Sequence, residues 1–113
     1  MHELAITEGI LETVLPAAEK AGAERILEIR MKIGVLSGVV PGCIEEYLRI
    51  AAKGTIAENA RLIAEPIPVR IRCRACGREA DTERGRFCCA FCGSESISVI
   101  GGSGYWVDSL KVE

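Results

Sequence analysis

The stretch RILEIRMKIG, residues 25–34, has the clearest periodic pattern in the chain and determines which fold the rest must complete. Charged residues alternate along it with apolar ones. The apolar residues that share one face are Leu27, Ile29, Met31 and Ile33. Because successive side chains of a strand point to opposite faces, this alternation predicts a half-buried β-strand over 24–33. Such a strand needs other elements to cover its apolar face.

Helical patterns lie on both sides of this strand. The upstream apolar stripe consists of Ile10, Leu11, Val14, Leu15 and Ala18. It predicts a helix over 4–21 that ends at Gly22 and kinks at Pro16, which removes one intrahelical hydrogen bond. Downstream, Pro41 suits the first turn of a second helix, which should stop at Gly54. The stripe of this second helix consists of Ile44, Tyr47, Leu48 and Ala51.

Two further segments have strand patterns. The segment 61–72 is predicted as a single strand, and its inward face consists of Ile63, Ile67, Val69 and Ile71. Pro66 and Pro68 both lack an N–H along one side of this strand, so that side should be a sheet edge. The segment YWVDSLKVE, residues 105–113, predicts a final strand whose inward residues are Trp106, Leu110 and Val112.

Two copies of the pattern Cys-x-x-Cys-Gly lie between these strands. They are CRACG, residues 73–77, and CAFCG, residues 89–93. Two intervening residues let both sulfurs of a pair reach one ion, and two such pairs form a tetrahedral cage that suits Zn²⁺. The predicted zinc ligands are Cys73, Cys76, Cys89 and Cys92. Rubredoxin-like iron and a redox dithiol are the alternatives for this site.

Two other cysteines are excluded from this cage. Pairing Cys88 with Cys92 would break the two-residue spacing, so we interpret Cys88 as a partly buried thiol. Cys43 falls in the second helix, where we expect it to pack as a small apolar residue.

The order of the elements predicts an α+β fold. This fold consists of a small three-stranded sheet packed with two helices, plus an inserted zinc-ribbon-like lobe built on the four cysteines. In this interpretation residues 1–71 together with 98–113 form the α+β domain, and residues 72–97 form the inserted lobe.

Composition excludes several classes of protein. The chain has 113 residues, of which 49% are hydrophobic and 27% charged, and its net charge of −2 provides no global basic field for nucleic acid. No apolar run approaches the roughly 18 residues that suggest a membrane span. Glu3 and Glu8 stand where a secretory signal would be basic and apolar. We therefore expect a cytoplasmic protein, and because thiols stay reduced in that compartment, its clustered cysteines indicate metal binding rather than disulfides.

Arginines crowd the cysteine insert. They are Arg70, Arg72, Arg74, Arg78, Arg84 and Arg86. A basic zinc ribbon of this kind can bind nucleic acid, but only Phe87 and Phe91 are present in the insert to stack on bases. We therefore favour arginines that offset the negative charge of a metal ion held by four thiolates.

The only histidine of the chain is His2, in the opening sequence MHEL. The α-amine of Met1 and the amide nitrogen of His2 close a five-membered chelate ring, and the same amide nitrogen closes a six-membered ring with the imidazole Nδ1. Glu3 can add a donor through its amide or its carboxylate. A tetragonal, nitrogen-rich set of donors suits Ni²⁺ or Cu²⁺ better than Zn²⁺.

Together these features resemble the HypA/HybF family of nickel metallochaperones. The similar segments are MHEL at 1–4, IGVLSGVVP at 33–41, AAKGTIAENARL at 51–62, the paired CxxCG motifs and SLKVE at 109–113. The resemblance implies a nickel site on His2, assisted by the Met1 amine and Glu3, and a zinc site at the four cysteines. It also implies maturation of [NiFe]-hydrogenase, with delivery of Ni(II) to the large-subunit precursor and a nucleotide-hydrolysing HypB partner. Some relatives serve urease maturation as well.

The residues themselves do not predict an enzyme. A single terminal histidine leaves no base for a Ser-His or Cys-His nucleophile, and there is no glycine-rich phosphate loop. We expect a binding protein with an open nickel site and a structural zinc cage. The alternatives are a zinc-ribbon nucleic-acid-binding module and a rubredoxin-like electron carrier.

Overall fold

The computed structural model describes residues 2–82 and 86–113, and the side chain of His2 is outside that description. Two helices occur in this part of the chain, α1 (His2–Lys20) and α2 (Pro41–Ala51). The strands are β1 (Ile26–Gly34), β2 (Arg61–Ile67), β3 (Val69–Cys73), β4 (Glu79–Thr82), β5 (Ile97–Gly101) and β6 (Tyr105–Val112). Neither of these helices is long and apolar enough to cross a lipid bilayer.

The chain divides into two compact units. The first consists of Met1–Lys32, Val39–Glu65 and Trp106–Glu113, and the second of Ile33–Gly38 and Pro66–Tyr105. The first unit contains α1 and α2, which contact each other, and most of a three-stranded sheet with the order β2-β1-β6. The second unit contains a sheet with the order β4-β3-β5. The predicted α+β fold with two helices, a three-stranded sheet and a cysteine lobe is confirmed.

The middle strand β1 buries the residues that its alternation predicts. Ile29, Met31 and Ile33 are buried, while Leu27 is half-buried. The helices bury most of their predicted stripes, although Tyr47 is 38% exposed. The buried helical residues are Thr7, Ile10, Leu11, Val14 and Ala18 of α1 and Ile44 and Leu48 of α2.

The end of α1 follows from Gly22, which has a φ of 74° in the left-handed region. Gly22 N–H donates to the Glu19 carbonyl at 2.9 Å, and Ala23 N–H donates to the Ala18 carbonyl at 3.0 Å. This pair of hydrogen bonds is a Schellman motif, which satisfies the last carbonyls of a helix. The helix runs on through Pro16, which is exposed, so water can reach the backbone around the missing N–H.

The prediction of a single strand over 61–72 is wrong, because the segment forms β2 and β3 in two different sheets. Pro68 separates them, since it has no N–H to give to a sheet and restricts the residue before it. The expectation of a sheet edge is correct for β2, which contains Pro66 and lies at the edge of its sheet.

Of the inward residues predicted for 61–72, Val69 and Ile71 are buried in β3 as predicted. The inward faces predicted for the outer strands β2 and β6 are wrong at three residues. Trp106 and Val112 are 48% and 40% exposed, and Ile63 is 36% exposed. The face of β6 that bears Trp106 also bears Asp108, whose carboxylate lies 3.9 Å from Lys32 Nζ. Because a carboxylate is costly to bury, this face turns towards solvent and takes Trp106 with it.

Glycine is required where three segments of the second unit approach one another. A Cβ on Gly34 would lie 2.2 Å from the carbonyl oxygen of Gly102, and a Cβ on Gly102 would lie 2.8 Å from that of Pro68. The backbones are also hydrogen-bonded here, because Leu36 N–H donates to the Gly102 carbonyl at 2.8 Å. Backbone atoms cannot move aside as a flexible side chain can, so this crossing admits no side chain at either glycine.

We expect Gly34→Ala to lower the free energy of unfolding by at least about 2 kcal/mol, because the methyl group would overlap the Gly102 backbone. Gly104→Ala is the matched control, since its Cβ would meet nothing within 4 Å. The control should change the free energy by less than about 1 kcal/mol. Urea denaturation monitored by circular dichroism measures both values, and equal stability of the two variants would contradict the close approach.

Candidate metal centre

The two Cys-x-x-Cys-Gly motifs fold into the same local structure. Gly77 N–H donates to the Cys73 carbonyl at 3.0 Å, and Gly93 N–H donates to the Cys89 carbonyl at 3.0 Å. Both glycines lie in the left-handed region, with φ of 75° and 76°. Each motif is therefore a knuckle whose tight turn depends on its glycine, as the spacing predicts.

The four cysteine sulfurs of the two knuckles lie together. All four Sγ atoms lie within 4.8 Å of one another. Two of these distances join the knuckles, at 3.5 Å between Cys73 and Cys92 and 3.6 Å between Cys76 and Cys89. Four sulfurs at about 2.3 Å from a tetrahedral ion would lie about 3.8 Å apart. The cluster is a four-cysteine metal-binding site, and its spacing fits one tetrahedral ion.

Backbone N–H groups prepare part of this cluster to bind a cation. The N–H of Cys92 lies 3.4 Å from the Cys89 sulfur and is the main cause that lowers the pKa of Cys89 to about 6. The N–H of Cys76, at 3.4 Å, likewise lowers the pKa of Cys73. At Cys92 the Ser94 N–H favours the thiolate, but the neighbouring sulfurs outweigh it and the pKa is raised to about 11. These N–H groups favour the thiolate form at Cys73 and Cys89, and the thiolate is the form that binds metal.

Burial follows the same alternation. Cys73 and Cys89 are buried, while Cys76 and Cys92 are exposed. Each knuckle thus places one sulfur in the interior of the lobe and one at its surface. An ion held by all four is anchored on one side and borders solvent on the other.

The arginines of β3 do not form a free basic patch. Arg70 donates to Asp81 at 3.0 Å, and Arg72 donates to Glu79 at 2.8 Å. These pairs follow from the antiparallel register, which places Arg70 opposite Asp81 and Arg72 opposite Glu79. The expectation that these two arginines offset the charge of the metal centre is not supported by their contacts, because carboxylates already pair with them.

Two arginines at the first knuckle have other partners. Arg74 donates from Nε to Ser98 Oγ at 3.0 Å, and the guanidinium of Arg78 lies 4.8 Å from the centre of the Phe91 ring. The contact between Arg78 and Phe91 joins the two knuckles by a cation–π interaction. Arg84 lies outside the described residues.

The remaining cysteines lie outside the cluster. Cys88 is exposed, so the prediction of a partly buried thiol is wrong. Cys88 therefore points out of the lobe, although it lies next to the buried Cys89 in the sequence. Cys43 is half-buried on α2, in agreement with a packing residue.

The three residues predicted to bind nickel are described only in part. Helix α1 begins at His2, and Met1 lies outside the described residues. Glu3 is half-buried in the first turn, where its charge is favourable near the positive end of the helix dipole. Its carbonyl accepts a hydrogen bond of 2.7 Å from Thr7 Oγ1. Thr7 is not among the residues predicted from the sequence. The feature that could have identified it is a hydroxyl-bearing residue on the buried stripe of α1.

Comparisons with known proteins agree with this arrangement. The family described as "Hydrogenase/urease nickel incorporation, metallochaperone, hypA" matches residues 1–112. The hydrogenase maturation factor HypA of Geobacter metallireducens is 39% identical and is aligned over 100% of both chains. The HypA of Aquifex aeolicus is 34% identical over 100% of this chain and 98% of its own.

Two solution structures share the fold. One is entitled "Solution structure of HypA protein" and aligns with a TM-score of 0.75 and 18% identity over 100% of this chain and 97% of its own. The other is the Ni metallochaperone HypA from Helicobacter pylori, with a TM-score of 0.68 and 17% identity over 97% of this chain and 96% of its own.

Replacing Cys73 or Cys92 by Ala should release the metal, because three sulfurs cannot complete the tetrahedral site. Cys88→Ala is the matched control and should retain it, since Cys88 lies outside the cluster. Elemental analysis of the purified proteins gives the metal content, and hydrogen exchange should show that β1 and β6 stay protected. If Cys89→Ala retained the metal and Cys88→Ala lost it, the assignment of Cys89 rather than Cys88 as a ligand would be wrong.

Proposed function

Since the chain belongs to the HypA family of metallochaperones, which serve nickel incorporation into hydrogenase or urease, we propose that it carries Ni²⁺ at its amino terminus. The donors in this proposal are the α-amine of Met1, the amide nitrogen and imidazole of His2, and Glu3. The carried ion is delivered to the large-subunit precursor of a [NiFe]-hydrogenase. The observation that supports this position is that α1 begins at His2.

The start of a helix suits a chelate that uses backbone nitrogen. N–H groups in the first turn have no intrahelical acceptor, so the amide nitrogen of His2 can release its proton to solvent and bind a metal without breaking a helical hydrogen bond. The same amide in the middle of a helix would have to give up such a bond. Forming the chelate therefore breaks no hydrogen bond of α1, and the helix supports the residues that form the chelate.

The terminal site suits transient binding. Its donors belong to the first residues of the chain, where incoming ligands can approach the ion from solvent. A carrier must release its metal, and a site without a closed shell of side chains can do so while the protein stays folded. The protein in this proposal catalyses no reaction and acts as a binding protein in the cytoplasm, where thiols stay reduced.

We assign zinc to the four-cysteine centre, as a structural ion. Tetrahedral sulfur coordination favours Zn²⁺ or iron, whereas Ni²⁺ is favoured by nitrogen ligands in a tetragonal arrangement. Zinc is favoured over iron because paired knuckles of this spacing are typical of structural zinc sites. A rubredoxin-like electron carrier would hold iron instead, and its purified form would be red.

The zinc-ribbon alternative, a nucleic-acid-binding module, is disfavoured by the charges of the lobe. Arg70 and Arg72 are paired with carboxylates, and those pairs would have to break before either guanidinium contacted a phosphate. We propose protein partners instead: a HypB nucleotide-hydrolysing protein and the hydrogenase precursor. Urease maturation factors are a further partner class of this proposal.

Nickel titration tests the terminal chelate. Both His2→Ala and a protein with one Gly placed before Met1 should lose the tight site, because the first lacks the imidazole and the second turns the amine into an amide. Affinity should also fall as pH decreases, since an α-amine and an imidazole titrate near ~7.8 and ~6.5 in model peptides and protons then compete with the metal. Isothermal titration calorimetry with Ni²⁺ measures these affinities.

Two matched controls belong to this titration. Glu12→Ala changes an exposed residue of α1, and a Gly placed after Glu113 lengthens the chain at the other end. Both should bind nickel as the native protein does, and all four variants should keep their zinc. Native affinity in the protein extended before Met1 would show that the α-amine is not a donor.

The position of the nickel site predicts where a HypB partner docks. Because the proposed ion sits at the start of α1, photoreactive crosslinks to HypB should map to the first turns of that helix. A photocrosslinker at Glu8, which is exposed, should capture HypB, and one at Glu95 in the second unit serves as the control. Capture only from Glu95 would place the partner on the cysteine lobe instead.

A further inference from the structure

Thr7 is fully buried, and among the side chains of residues 3–82 and 86–113 it is the one polar side chain that is buried. It lies on the stripe of α1 that packs Ile10, Leu11 and Val14 into the core. An aliphatic residue such as Val would bury the same shape there without a hydroxyl to satisfy. The hydroxyl is satisfied by one contact, the 2.7 Å hydrogen bond from Oγ1 to the Glu3 carbonyl.

This hydrogen bond joins the core to the first turn of α1. In an α-helix the carbonyl of Glu3 is already the acceptor for the N–H of Thr7, so the hydroxyl adds a second bond to the same oxygen. The first turn of a helix otherwise has few bonds and tends to fray. Thr7 cannot swing away, because its side chain is enclosed. Residue 3 is thus tied to the hydrophobic core through Thr7.

We propose that Thr7 is a positioning residue for nickel: its buried hydroxyl holds the backbone of Glu3, and thereby the start of α1 from which the proposed donors extend. This inference rests on the nickel site proposed above and deepens it. A metal site binds more tightly when its ligands are ordered before the ion arrives, because less conformational entropy is lost on binding. Loosening residue 3 would therefore weaken the nickel complex without removing any donor.

A second threonine of the same helix provides an internal comparison. Thr13 Oγ1 donates to the Gly9 carbonyl at 2.9 Å, with the same spacing of four residues. Thr13 is exposed and lies well beyond the terminal donors along α1. The local chemistry of the two threonines is the same, so only position and burial distinguish them.

The test compares four proteins: native, Thr7→Val, Thr7→Ser and Thr13→Val. Thr7→Val keeps the buried shape and removes the hydroxyl, so we expect nickel affinity to fall about two- to tenfold, the range that one net hydrogen bond corresponds to. The melting temperature should not fall with it, since Val is apolar and fits the buried stripe. Thr7→Ser restores the hydroxyl and should bind nickel within about twofold of the native protein, as should Thr13→Val.

Nickel affinity is measured by calorimetry well below the melting temperature, and the visible absorption of bound Ni²⁺ reports its donor set. We expect the absorption band of Thr7→Val to shift, because a Glu3 donor that is held less firmly changes the geometry around the ion. Native affinity and spectrum in Thr7→Val would overturn the inference, and so would a loss that Thr7→Ser does not restore. The His2→Ala protein keeps the two questions apart. If His2→Ala still binds nickel tightly, the terminal site itself is wrong. If His2→Ala loses nickel but Thr7→Val binds it with native affinity, only the role of Thr7 is wrong.

Discussion

The joining of four sulfurs by one metal ion is the interaction on which the second unit depends. The buried apolar residues of that unit are Ile33, Val69, Ile71, Cys73 and Cys89. Two of these are cysteines of the metal site, so little aliphatic core remains to offset the loss of chain entropy. Small domains of this kind obtain the missing stability from metal coordination. The glycine turns, the buried sulfurs and the pairing of β3 with β4 and β5 are then consequences of closing the cage.

The first unit has the opposite organisation. Its helices and its middle strand bury a continuous aliphatic set that includes Val14, Ile29, Met31 and Ile44. It therefore needs no ion to fold, and its terminal turn is available for an ion that comes and goes. Thr7 is the point where that core reaches the proposed nickel ligands. The proposed permanent site and the proposed transient site can exist in one short chain because different forces stabilise the units that contain them.

Local patterns in the sequence predicted the features that depend on local chemistry. The spacing of the cysteines predicted the knuckles, and Gly22 predicted the end of α1. The strand predicted over 24–33 agrees with β1 because β1 lies in the middle of its sheet, where Ile29, Met31 and Ile33 are buried on one face. The inward face predicted for β6 is wrong because burying the Asp108 carboxylate would cost more free energy than exposing Trp106 does. The division of 61–72 into β2 and β3 at Pro68 could not be predicted, because it depends on the pairing of each half with strands of a different sheet. The close approach of Gly34 to Gly102 was also beyond local pattern, because it joins segments that are far apart in the sequence.

The two proposed metals are separated by geometry more than by affinity. Most nitrogen or sulfur sites bind Ni²⁺ and Zn²⁺ with comparable strength, so a protein that handles both must reject each from the wrong site. The cysteine cage favours the tetrahedral ion, because its sulfurs are fixed in that arrangement by two rigid turns. The terminal nitrogens favour a planar arrangement, because two chelate rings share one amide. If residue 3 were loose, the terminal donors could rearrange around a tetrahedral ion. In this proposal a fixed first turn contributes selectivity as well as affinity, and the buried hydroxyl of Thr7, four residues away, helps to fix it.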